Sequence, residues 1–144
     1  MFADLLRRMT APAPARMPDA DARLALGALL VRLARADGHY DTVEKKQIEA
    51  VLCQRYGLSD ASGLREDCEA LEAEAPDTVR FTRAIKDAVA YEDRLGVIAA
   101  MWEIVLADGQ RDALEDSIMR MVAPMLGVED QDSNAARRAI ESRA

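Results

Sequence analysis

The 144 residues carry 26 Asp and Glu against 19 Lys and Arg, a net charge of −7. That balance repels nucleic acid, and no basic stripe with interleaved aromatics offsets it. Half the residues are apolar, which excludes disorder by composition, and a chain of this length can bury a core without a metal or disulfide staple.

Phe2, Leu5, Leu6 and Met9 make an apolar stripe at helical spacing, and "APAPARMP" follows, which cannot continue a helix. Residues 1–18 therefore read as a short amphipathic arm and Ala/Pro linker, ahead of a helical domain at 19–144. The charges of "MFADLLRRM" follow its apolar residues, unlike those of a secretion signal. The most apolar stretch, Leu24 to Ala34, is interrupted by Arg32 and is too short to span a membrane. A cytoplasmic location is expected.

Good helix formers dominate, and strictly alternating β-branched runs are absent, so an all-α fold is expected. Leu26, Leu29, Leu30 and Leu33 fall at i, i+3, i+4 and i+7, which predicts a helix burying one face, with Arg32 and Arg35 pointing away. Gly38 ends it. Asp41 opens the next helix, with Glu44 placed for a capping-box arrangement, Ile48, Val51 and Leu52 inward, and Gly57 at the end. Residues 60–75 read as a third helix with Leu64, Cys68 and Leu71 inward and Glu66, Asp67, Glu69, Glu72 and Glu74 on a solvated face. Pro76 breaks it, and Asp77 caps a helix whose stripe is Phe81, Ile85 and Val89.

The opening pattern then returns 71 positions later. Val97, Ala100, Met101 and Ile104 take the places of Leu26, Leu29, Leu30 and Leu33, and a second "ADG" closes the helix. Asp112 and Glu115 open the next helix, with Met119 and Val122 inward. Pro124 kinks or ends that helix, Gly127 matches Gly57, and a charged helix from Asp132 frays at the end. The expected architecture is a helical bundle built from two pseudo-twofold-related helix–corner–helix repeats.

Asp41, Glu44, Asp112 and Glu115 suit helix starts, where carboxylates cap N–H groups and favour the dipole. Asp37 and Asp108 are less fully explained, because other residues can precede a corner glycine. If the twofold axis passes near the corners, those two carboxylates approach and need a cation or a shared proton. An oxygen-only donor set suits a hard ion, Ca²⁺ or Mg²⁺. The loops are not EF-hands: His39 and Ile48, and Gln110 and Met119, stand where that loop places ligands. His39 is the sole histidine and reads as an exposed loop residue. Trp102 reads as core, and Cys53 and Cys68 read as buried, reduced thiols. With no activated nucleophile pair, Gly-rich phosphate loop or His–carboxylate motif, an enzyme is not expected.

"RLALGALLVRLARADGHYDTVEKKQIEAVL" and "EDRLGVIAAMWEIVLADGQRDALEDSIMRMVAPMLGV", with "MFADLL" at the start, resemble the TerB-like, tellurite-resistance-associated family. The resemblance covers roughly residues 22–128, and the doubled "ADG" before an acidic helix start is its most specific element. It implies an all-helical bundle of two related halves, a link to stress responses, and metal binding at acidic positions. Here those positions are Asp37, Asp41 and Glu44 in one half and Asp108, Asp112 and Glu115 in the other.

Two functions follow as expectations. One is a non-enzymatic domain that binds a divalent cation or a protein partner through the doubled acidic corner. The other is an ion-free interaction module working through the N-terminal arm, on a partner or on a second copy as a homodimer.

Overall fold

The computed structural model of the chain describes residues 19–36, 38, 40–75, 78–106 and 113–143, and these hold seven helices and no strand. They are α1 (Asp19–Ala34), α2 (Thr42–Tyr56), α3 (Ser62–Glu74), α4 (Val79–Ala88), α5 (Tyr91–Val105), α6 (Ala113–Met125) and α7 (Asp130–Glu141). The all-α expectation holds. The expected arm and linker, the helix-breaking Pro76 and the expected cap Asp77 lie outside the described residues. No helix among the described residues is long and apolar enough to cross a membrane.

Two helices form the centre. The α1 leucines are buried as their spacing requires, but Ala22, Ala25, Ala28, Val31 and Ala34 are buried with them. The expectation of a single buried face is corrected: α1 is apolar nearly all round and touches α2 to α6. The other central helix, α5, buries Val97, Ile98, Ala100, Met101, Trp102, Ile104 and Val105. α1 packs most on α3 and α4, and also on α2 and α5, whereas α5 packs most on α7.

α2 and α6 are each followed by a glycine turn. Gly57 and Gly127 take φ of +66° and +75°, a left-handed turn that an L side chain resists. The next N–H folds back in each case: Leu58 donates to the Cys53 carbonyl at 3.0 Å and Val128 to the Ala123 carbonyl at 2.8 Å. Each is the longer bond of a Schellman motif, with an apolar residue just past the glycine. Pro124 stands inside the last turn of α6, which ends at Met125, where its missing N–H and its ring fall on the bond to the Arg120 carbonyl.

The C-terminal helix packs against the core. α7 starts at Asp130 and packs along α5, with Ser133 buried and Ala136 and Ile140 against the core. Trp102, 4% exposed, donates its indole N–H to Ser133 Oγ at 3.0 Å. Replacing Ser133 by Ala leaves that N–H buried without its acceptor. The expected loss of unfolding free energy is about 1 kcal/mol, read by urea denaturation.

Arginines close helix ends that lack other partners. Arg94 donates to the carbonyls of Lys86 at 3.1 Å, Val89 at 3.0 Å and Leu126 at 3.3 Å, joining the ends of α4 and α6 to the start of α5. Placing a cation against C-terminal carbonyls also answers the helix dipole.

Candidate functional site

The first corner runs from the end of α1 to Asp41. Gly38, with φ +82°, donates its N–H to the Arg35 carbonyl at 3.0 Å, the turn expected of a glycine after a helix. Asp41 is extended, and its Oδ1 accepts the Glu44 N–H at 3.1 Å. That is the Asp41 half of the capping box. One carboxylate oxygen remains uncommitted to the cap on an exposed side chain, and Glu44 lies half-buried in the first turn.

The corner is braced from α3. Glu72 accepts from Arg32 Nε at 3.0 Å and pairs with Arg35. Arg32 also donates to the carbonyls of Glu72 at 3.2 Å and Ala75 at 2.7 Å, and its guanidinium lies 5.2 Å from the Phe81 ring centroid. A second strut is Tyr40, whose hydroxyl donates to Glu69 at 2.6 Å. Arg65 holds Glu69 at 2.8 Å and Glu49 at 2.6 Å, joining α3 to α2. Burial, then the hydrogen bond to the Glu69 carboxylate, raises the Tyr40 phenol well above its ordinary value, so Tyr40 stays a donor.

These contacts correct two expectations. Arg32 does not point away into water; its side chain is 18% exposed and caps the end of α3. The acidic face of α3 is only partly solvated. Glu66, Asp67 and Glu74 are exposed, but Glu69 and Glu72 are largely covered by the corner they hold. One signal was available: two arginines three apart at the end of one helix, Arg32 and Arg35, which converge on the same Glu72.

Of the six expected metal positions, Asp41, Glu44 and Glu115 are described, while Asp37, Asp108 and Asp112 lie outside the described residues, as does His39. Glu115 stands in the first turn of α6 and is 4% exposed. No three His, Cys, Asp or Glu side chains converge on an ion position among the described residues. The donor set nonetheless fits a hard cation in kind: carboxylates only, at the starts of helices that follow the two corners. A complete site would have to draw on the three remaining aspartates.

The thiols are free. Cys68 is buried and Cys53 half-buried, so the expectation of two buried thiols holds for Cys68 alone. Burial, then the charges of Asp67 and Glu69, pushes the Cys68 thiol up to about 12 and keeps it protonated and unreactive.

Two surface features lie near these elements. A shallow apolar depression beside the first corner is floored by Ile118 and Met121 of α6 and edged by Arg35 and Ala36. A polar cleft of about 240 Å³ opens between α5, α6 and α7.

No curated protein and no solved structure matches the chain significantly. A family model does: the one described as tellurite resistance protein TerB matches residues 23–138, which span α1 to α7 apart from the two outer ends. With that match covering most of the sequence, and with the all-helical fold, the chain belongs to the TerB family.

Proposed function

We propose that this chain is a non-enzymatic cytoplasmic domain whose doubled acidic corner binds a divalent cation, Ca²⁺ or Mg²⁺, in a stress response. The observation that carries the reading is the placing of carboxylates alone at the helix starts after both corners: Asp41 and Glu44 at α2, and Glu115 in the first turn of α6. Asp41 caps α2 while exposed and keeps one oxygen outside the cap. An oxygen-only donor set is the kind that suits a hard cation. Asp37, Asp108 and Asp112 are the remaining candidates for the donor set. The family description names a phenotype and no chemistry, so the reading rests on the carboxylates.

The test is isothermal titration of the chelator-treated full chain with Ca²⁺, Mg²⁺, Mn²⁺ and Zn²⁺. Saturable heat is expected with Ca²⁺ or Mg²⁺, with affinity falling at least tenfold in Asp37→Asn/Asp108→Asn. If no ion gives saturable heat, the cation reading fails and the corners are helix caps.

One observation favours a second reading, docking of a protein. Met121 is 41% exposed on the apolar depression beside the first corner. Deleting residues 1–18 separates the two. Loss of self-association in sedimentation, with any ion titration unchanged, assigns interaction to the arm.

A further inference from the structure

The cleft between α5, α6 and α7 differs from the acidic corners in that two arginines line it beside two aspartates. We propose that it binds a small monoanionic carboxylate, held by Arg120 and Arg137 beside Trp102. The inference stands independently of the cation reading.

Four donors share this cleft. Arg120 lies on the exposed side of α6 and makes no hydrogen bond or ion pair among the described residues. Arg137, on α7, lies 5.9 Å from the Trp102 ring centroid, and its Nε is buried without an acceptor. Its nearest carboxylate, Glu141, stands at 4.0 Å. With Nε covered, the terminal nitrogens are the part of that guanidinium able to reach a ligand. The Asn134 amide lines the same space. Ser133 Oγ already accepts the Trp102 N–H, which leaves its proton as the group it can offer.

The arrangement favours a planar oxyanion. Two guanidiniums present paired N–H groups that match the two oxygens of a carboxylate. Trp102 and Met119, both largely buried, form the small apolar floor that a short carbon chain would meet. Asp116 and Asp130 stand at the same cleft, so the charge of its lining is balanced before a ligand arrives. Each added negative charge on the ligand therefore meets repulsion as well as attraction. A monoanion is favoured over a phosphate dianion.

The protein carries its own reporter, since Trp102 is its single tryptophan and its indole N–H bonds to the cleft wall. The experiment follows the one indole N–H resonance in a ¹H–¹⁵N spectrum of the full chain at constant ionic strength. It is titrated with acetate, N-acetylalanine and inorganic phosphate. Acetate stands for a free small acid, and N-acetylalanine for a peptide C-terminus. A saturable shift is expected with at least one carboxylate, weakened at least tenfold by Arg120→Gln and by Arg137→Gln, with phosphate the weaker ligand. Arg120→Gln is the more secure variant, because that side chain is exposed and its loss leaves the packing intact. A wild-type resonance that moves with neither carboxylate overturns the proposal. So does a shift that Arg120→Gln leaves unchanged, and phosphate binding as tight as carboxylate overturns the monoanion preference.

Discussion

Arg32→Ala is expected to lower the unfolding free energy by about 3 kcal/mol, the scale for removing one partner of a largely buried ion pair. Three bonds go at once: Nε to Glu72 at 3.0 Å, and the terminal nitrogen to the Glu72 and Ala75 carbonyls at 3.2 and 2.7 Å. The carbonyls matter as much as the carboxylate. They lie at the end of α3, where the Glu72 carbonyl otherwise takes only a long 3.3 Å bond from the Ala75 N–H and the chain turns away at Ala75. Glu72, with a side chain 12% exposed, keeps Arg35, so the loss stops short of an isolated buried charge. Arg32→Lys should recover little, because an ammonium cannot bridge three acceptors in the plane of a guanidinium. Arg35→Ala is the internal contrast. That side chain is 39% exposed, and its loss should register within about 0.5 kcal/mol, as for ordinary surface pairs. Urea denaturation of the three variants decides the matter, and a loss for Arg32→Ala no larger than that for Arg35→Ala would contradict it.

The same arginine shows where the sequence is legible and where it is not. Gly38, Asp41, Gly57 and Gly127 each carry their conformation in their own chemistry, so the helix ends fall close to where local rules put them. Arg32 does not. Three residues along α1 from Leu29, it reads as the polar exception on a helix, and only the position of α3 makes it a cap. Glu69 and Glu72 have the same history: an acidic run is locally indistinguishable from a solvated face until Tyr40 and the arginines arrive. α7 is a third case. Its sequence is charged, and its burial comes from one serine meeting the indole of a helix that begins 39 residues earlier in the chain. Of the candidate corner, the Asp41 cap could be read locally, whereas the burial of Glu115 depends on how α6 is packed.

Gly27→Val is expected to cost about 3 kcal/mol or more, at the upper end of the range for overpacking a core. The reason lies in the closest approach of the two most extensively packed helices, α1 and α3. A Cβ at position 27 would overlap Cys68 Sγ, stand 3.1 Å from Cys68 Cβ and reach Leu52 Cδ2 at 3.8 Å. Rotating the thiol does not relieve the second of these, so the helices must separate. Separation would stretch the Arg32 bonds to the end of α3, which are fixed to the same pair of helices. Gly27→Ala is milder, because the helix propensity gained over glycine, about 1 kcal/mol, offsets part of the clash. The discriminating measurement is a double-mutant cycle of Gly27→Ala with Cys68→Ala under reducing conditions. Removing the sulfur creates a small cavity in the parent but opens room for the methyl added at position 27. The double variant should therefore be more stable than the sum of the single losses by about 1 kcal/mol or more. Additive losses would mean that α1 and α3 tolerate the extra methyl without contact, and that the glycine serves neither packing nor the placement of the first corner.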